Sequence, residues 1–264
     1  MTAHDHEHRD EAERIAVEQF TAHASSFSAS PIISDSHALD ALADLAEVSA
    51  ADRVLDVACG PGIVSCHLAA RGATVVGVDL TPTMLELAEQ RAAKHGVSDR
   101  ATFVPGAMDR LPFADGEFSL VVSRYALHHA VDPASAAAEM ARVTASEGRV
   151  VIVDFAASDD PEAAHAYDEA EKLRDPSHVH NLTAEALPAL FAAHGFQVEA
   201  TDTYRLDADV DAVLAGSHGD DHDGFRRAFE EAVDTHGLGV DAHRVDGGIR
   251  FRYPIVCFRL TRGA

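Results

Sequence analysis

The sequence predicts an α/β fold built on a mostly parallel sheet with helices on both faces. Three observations carry this. Five short runs rich in Val and Ile (residues 53–58, 73–80, 101–106, 117–125 and 148–156) are apolar almost throughout, as in strands buried on both faces. Stretches with helical periodicity and recognisable caps separate these runs. The chain has 264 residues, 47% of them apolar, enough for one sizeable core.

Each element has its own signal. Residues 1–10 are polar and read as a disordered tail. Residues 11–27 read as a helix with Ile15, Ala16, Gln19 and Phe20 on one face, and 35–47 as a second, in which Leu39, Leu42, Ala43 and Ala46 recur at helical spacing. The strand at 53–58 leads into a helix ending near 70. After the strand at 73–80, Thr81 offers a hydroxyl cap and Pro82 a first turn; that helix stops at Gly96. Asp132 and Pro133 start a helix that reaches about 144. Beyond 156 the alternation loosens. A charged, partly helical insertion fills 157–182, followed by a helix to 194, a strand at 195–202, and an acidic stretch (207–246) with a helix near 225–233. The last strand, 249–260, alternates in part and holds Pro254, as an antiparallel or edge strand can.

Net charge is −23, with 44 acidic residues against 21 basic ones. Such a field repels nucleic acids and anionic membranes. No apolar run approaches the ~20 residues of a membrane span, and the polar start lacks a signal core. Cys59, Cys66 and Cys257 are too few and too scattered for a disulfide framework or a zinc site. These features suit a cytoplasmic monomer or homodimer. The His-containing stretches at 4–8 and 217–224 read as polar surface segments, and no metal is expected.

The turn in VLDVACGPGIVS (54–65) carries the first chemical clue. Gly60 and Gly62 fit the first two glycines of a pyrophosphate cradle, but Ser65 stands at the third position, Pro61 removes an N–H donor, and Asp56 would face phosphates with a negative charge. These features suit a ligand with a cationic end and no phosphate. The next strand ends at Asp79, where a carboxylate can accept both hydroxyls of an adenosine ribose. Adenosine joined to an amino-acid cation without phosphate describes S-adenosylmethionine (SAM).

VLDVACGPG (54–62), VVGVDLTPTMLELA (75–88), FVPGAMDRLPFADGEFSLVVSRYALHH (103–129) and EMARVTASEGRVVIVD (139–154) resemble the ordered motifs of the class I SAM-dependent methyltransferases, in the branch of the ubiquinone/menaquinone C-methyltransferase UbiE. The resemblance is strong over about 50–155. It implies a Rossmann-like fold with a seven-stranded, mostly parallel sheet and an antiparallel last strand. A single domain would span 11–264: N-terminal helices (11–50), SAM-binding core (51–156), cap insertion (157–182) and the rest of the sheet (183–264). It further implies that Asp56, Ala58, Cys59, Gly60 and Gly62 hold the methionine part and that Asp79 holds the ribose. Leu80 and Met84 would pack on the adenosine, Ala107, Met108 and Asp109 flank the adenine, and Ser123 lie beside the sulfonium. Two departures stand out. Ala58 replaces a frequent glycine, and Ala107 replaces the carboxylate that usually meets the adenine amino group, a role Asp109 is placed to take.

Methyl transfer demands placement first, worth roughly 7–11 kcal/mol, and a base only when the nucleophile keeps its proton. His128 and His129, after the fourth strand, are the candidate catalytic bases. Arg124 and Tyr125 are candidates for an anionic or aromatic substrate. Tyr167, Arg174 and His178 in the insertion, with Glu171 and Asp175, read as a substrate lid. Phe20, Phe27 and residues 30–40 are expected near the entrance. The expected function is SAM-dependent methylation of O, N or C on a small acceptor, quinone-like or from secondary metabolism. The alternatives are a SAM-binding enzyme that catalyses a cyclisation or rearrangement without transferring methyl, a nucleotide-sensing module, and a NAD-dependent dehydrogenase.

Overall fold

The computed structural model describes residues 3–29, 33–217, 219 and 221–263. Helices α1 (Ala3–Ala29) and α2 (Ser36–Leu45) come first. The alternating strand–helix half follows as β1 (Arg53–Val57), α3 (Ile63–Ala70), β2 (Thr74–Asp79), α4 (Pro82–His95), β3 (Ala101–Pro105), β4 (Phe118–Arg124), α5 (Pro133–Val143) and β5 (Thr144–Phe155). Then come α6 (Pro161–Arg174), α7 (Ala186–Ala192), β6 (Phe196–Asp209), α8 (Val210–Ala215), α9 (His222–Thr235), β7 (His243–Val245) and β8 (Gly248–Arg262).

One sheet runs through these elements in the order β3-β2-β1-β4-β5-β8-β6, with β7 added beside β8. The first five strands are parallel, and β8 lies antiparallel between β5 and β6. Seven strands match the expectation. The eighth, β7, is a three-residue return of the hairpin into β8 and has too little apolar pattern to be seen in the sequence.

Alternate residues of each parallel strand face opposite sides, and both sides are apolar. Val54, Val75, Leu120, Val122, Val151 and Val153 pack with α2, α3 and the Phe225–Phe229–Phe251 aromatic cluster. Leu55, Val76, Val121, Val150 and Ile152 pack with Met140 of α5 and Leu187 and Phe191 of α7. At the amino ends of the central strands, Arg149 clamps the buried Asp52 through both carboxylate oxygens (3.0 and 2.9 Å).

Two local expectations are corrected. Residues 3–10, read as part of a disordered tail, are the first turns of α1. The helix is fastened across the strand ends by ion pairs: Arg9 lies 3.1 Å from Asp109, and Glu13 lies 2.7 Å from Arg110. Thr81 starts α4 without a side-chain cap. Its backbone N–H instead donates to Asp79 Oδ1 at 2.8 Å, because the carboxylate two residues earlier already occupies the N-terminal turn. Asp132 caps α5 as expected, accepting from Ser135 N–H at 3.1 Å, and Gly96 ends α4 at φ +69°.

Candidate active site

The site lies at the carboxyl ends of β1, β2 and β4. After β1 the chain turns through Ala58 and Gly60, both left-handed (φ +57° and +51°). Cys59 N–H then donates to Val78 carbonyl at 3.0 Å. Gly60 N–H donates to Asp79 Oδ2 at 2.8 Å. Asp79 thus ties the end of β2 to the glycine turn and to α4, one carboxylate oxygen for each. Burial pushes its pKa up, against the backbone donors that favour its charge.

Asp56, fully inside, is pushed up to about 7 by burial, with the nearby Asp79 adding to the effect. The hydroxyl of Ser65 donates to its Oδ2 at 2.6 Å. The residue at the third glycine position therefore holds the carboxylate at the end of β1. A cation brought beside Asp56 would restore its charge, so the group is poised for an ammonium.

One pocket gathers Asp56, Ala58, Cys59, Gly60, Asp79, Leu80, Met84, Ala107, Met108 and Asp109 on its lining. These residues fit SAM on independent grounds. Asp109 Oδ1 is buried and, though 3.3 Å from Arg110 Nη1, has no hydrogen-bond partner among the described residues. It stands on the wall where Ala107 offers no acceptor, its carboxylate ion-paired to Arg9 and Arg110. Gly62 stands behind the wall. At φ +72° it starts α3, and a Cβ there would sit 2.9 Å from that of Ala88, so its part is the close approach of α3 to α4. Ser123 is also corrected: it is buried behind the lining and its hydroxyl donates to Val57 carbonyl at 3.1 Å.

A 3-10 turn (Leu127–His129) carries both candidate bases. His128 points inward, with Nδ1 2.7 Å from Asp154 Oδ1. Burial opposes a charge on this ring, but the adjacent Asp154 outweighs it and the pKa is raised. His129 lines the pocket, packed edge-on to Phe20 with centroids 5.1 Å apart. Its Nδ1 lies 3.0 Å from Ser177 carbonyl and 3.2 Å from Ser177 Oγ, which gives its own proton to Asp175 at 2.5 Å. Both neighbours therefore accept, so Nδ1 carries the proton and Nε2 keeps its lone pair. Burial and the His128 charge push His129 down to about 4, and the ring is neutral near pH 7.

Arg124 and Tyr125 both line the pocket. Tyr125 adopts φ +56°, a strained conformation for a bulky residue. It is held by stacking on Phe155 (4.9 Å) and by a 2.6 Å hydrogen bond between its hydroxyl and that of Tyr204.

The sequence of this core matches the methyltransferase domain family over residues 55–152. The uncharacterized methyltransferase YcgJ of Bacillus subtilis is 31% identical over 195 residues, which span 74% of this chain and 77% of that one. This chain belongs to the class I SAM-dependent methyltransferases. The crystal structure of YcgJ superposes with a TM-score of 0.79 at 28% identity, over 86% of this chain and 99% of that one. Among UbiE-type relatives, the demethylmenaquinone methyltransferase of Clavibacter sepedonicus is 36% identical over 137 residues, 52% of this chain and 55% of that protein. The 27-O-demethylrifamycin SV methyltransferase of Amycolatopsis mediterranei is 33% identical over 137 residues, 52% of this chain and 50% of its own. SAM is the co-substrate of the methyltransferase.

The cap departs from expectation. Tyr167, Arg174 and His178 are absent from the pocket lining. Tyr167 and Glu171 are buried on one face of α6, Tyr167 edge-on to Phe229 of α9 (6.5 Å). Arg174 pairs with Glu171 and stands 5.9 Å over Phe225. His178 Nε2 bonds Asp168 Oδ1 at 2.8 Å. Along α6 the buried positions Ala163, Tyr167, Ala170 and Glu171 share one face, so Tyr167 and Glu171 are drawn into packing. What the cap gives the methyltransferase pocket is Ser177, the holder of His129, which the sequence did not single out.

The apolar part of the lining was only partly foreseen. Ala12, Ala16 and Phe20 of α1, with Ile33 and Val131, give it an apolar wall. Phe20 was expected there; the Phe27 side chain and residues 30–32 lie outside the described residues. Those residues contain no group of His, Cys, Asp and Glu arranged to hold a metal, and no helix long and apolar enough to cross a membrane.

Proposed function

We propose that this methyltransferase moves the methyl group of SAM to an oxygen, nitrogen or carbon of a small, partly apolar acceptor, a quinone-like ring or a secondary metabolite. One observation carries the reading. The cofactor cradle continues without interruption into the apolar wall of Ala12, Ala16, Phe20 and Val131, beside a single neutral histidine, His129. Relatives named for menaquinone and rifamycin methylation support an acceptor of this size and polarity.

Bound SAM supplies an electrophilic methyl group. In our reading Asp56 and the turn around Gly60 hold the methionine part. Asp79 holds the ribose, and Leu80, Met84, Met108 and Asp109 hold the adenosine. The α1 wall excludes water and aims the acceptor. His129 Nε2 takes a hydrogen bond from the acceptor's O–H or N–H, which points its lone pair at the methyl. A ring with a pKa near 4 is a weak base, so placement outweighs proton removal here. We read residues 11–264 as one domain acting in the cytoplasm.

The test is turnover of a panel of phenols, hydroxyquinones and demethylated polyketides with SAM, followed by mass spectrometry for S-adenosylhomocysteine and methylated product. Product formed without S-adenosylhomocysteine would instead favour a rearrangement on the same fold.

A further inference from the structure

Arg124 is the last residue of β4, and its guanidinium is held on two sides. Nη1 donates to Ile33 carbonyl at 2.8 Å, and the group lies 4.3 Å over the ring of Tyr125. Tyr125 is itself clamped by Tyr204 and Phe155. The side chain is thus a fixed element of the pocket wall. Its remaining edge, Nε and Nη2, is buried and has no hydrogen-bond partner among the described residues. Arg124 is only 7% exposed, and in a chain with 44 acidic residues it makes no ion pair among the described ones.

A buried cation with two unmatched N–H groups is costly unless a ligand completes it. Nε and Nη2 lie on one edge of the guanidinium plane and donate in parallel. That fork fits the two oxygens of a carboxylate, and a lone ketone or ether oxygen fills only half of it. The surroundings point the same way. Asp56 of β1 pairs with Val122 of β4, so Asp56 and Arg124 end adjacent strands on one pocket wall. Arg124 acts electrostatically on Asp56, yet the two form no ion pair; Asp56 is bonded to Ser65 instead. An acid and a base side by side but unjoined complement a zwitterion, the ammonium going to Asp56 and the carboxylate to Arg124.

We propose that Arg124 is a carboxylate-binding residue whose Nε–Nη2 edge receives a carboxylate bidentately, from either the amino-acid end of SAM or an acidic acceptor. The acceptor branch rests on the methyl-transfer reading above; the cofactor branch needs only SAM binding.

The experiment measures binding rather than turnover. Calorimetry compares S-adenosylhomocysteine with its carboxamide, on the wild-type protein and on Arg124→Lys, which keeps the charge and stem but lacks the fork. A second arm compares benzoate with benzamide on protein saturated with S-adenosylhomocysteine. If the carboxylate is the cofactor's, the wild type prefers the acid over its amide by roughly tenfold to a hundredfold, and Arg124→Lys loses most of that preference. If it is the acceptor's, S-adenosylhomocysteine binds both proteins alike, and the preference for benzoate appears in the wild type and vanishes in the variant. The proposal is overturned if the wild type shows no preference for acid over amide in either arm, a comparison that needs no variant to fold. It is equally overturned if Arg124→Lys, with an unchanged melting curve, keeps both preferences. A clear clamp together with no methylated product from any small acceptor would reject the proposed function and leave this inference standing.

Discussion

The rings of His128 and His129 lie tilted at 46° with centroids 4.1 Å apart, yet their pKa values are moved in opposite directions. His128, bonded to Asp154, is held above its ordinary pKa, while His129 is pushed down to about 4 by burial and then by that charged neighbour. The inner ring is thus favoured in its charged form, while burial, with a smaller contribution from that neighbour, keeps the outer one neutral.

A base works deprotonated, so a lowered pKa extends activity toward acid. The kcat/KM profile for an acceptor that loses a proton should fall off only near pH 4. His128→Asn removes the second of the two causes and leaves burial in place, so the acid limb should move up part of the way toward 6.5. A limb that stays put in His128→Asn would show that the two rings are not coupled.

His129→Asn should lower turnover of a phenolic acceptor by about 10²-fold, the lower end for a general base. Affinity for S-adenosylhomocysteine should stay within about threefold, because the proposed role of His129 is toward the acceptor. Single-turnover kinetics paired with calorimetry would show the split.

Asp79→Ala should cost roughly tenfold to a hundredfold in S-adenosylhomocysteine affinity. It also strands the N–H groups of Gly60 and Thr81, so the unliganded protein should lose about 1–3 kcal/mol of stability. Asp79→Asn, which keeps an acceptor, should fall between, as read by titration and thermal melting.

Ala58 occupies φ +57°, a conformation glycine adopts without strain. Ala58→Gly should therefore raise stability by roughly 0.5–1 kcal/mol, less the extra freedom it gives the unfolded chain. A lower melting temperature in this variant would mean that the alanine methyl does something useful in the turn.

Burial opposes the charge of Asp52, but Arg149, Ser119 and the Ser49 N–H outweigh it and hold its pKa at about 2, below the ordinary 3.8. A depressed carboxylate stabilises the fold above its ordinary pKa and loses that contribution as the pH falls toward the folded value. Denaturant melts of Asp52→Asn should show about 1–2 kcal/mol less stability at neutral pH, and the difference should shrink between pH 4 and pH 2.

The sheet was legible because its central strands are apolar on both faces, and the gathering of Asp56, Gly60 and Asp79 in one pocket because two lie at strand ends and Gly60 in the turn after β1. The polar half of the site was less so. His128 and His129 look alike in sequence; only the three-dimensional placement of Asp154 and Ser177 tells them apart. Tyr167, Arg174 and His178 were charged or polar residues in an insertion, which reads as a lid. The burial of Tyr167 and Arg174 depends on α9 and β8, far along the chain. Arg9 gave no signal because its partner, Asp109, is distant in sequence. Ser123 and Gly62 were placed in the right region, and the structure sets them one layer behind the surface that was expected.

The position of β8 between β5 and β6 has a consequence for how the molecule is made. During synthesis β1 through β5 emerge first and can assemble the nucleotide cradle on their own pairing. Strand β6 emerges with no neighbour to join, since its hydrogen-bonding partner is the segment translated after α9 and β7. For that interval the nascent chain carries an unpaired fourteen-residue strand, exposed to edge-to-edge association. Its outward side chains, Glu199, Asp202 and Asp207 among them, offer a charged guard while it waits.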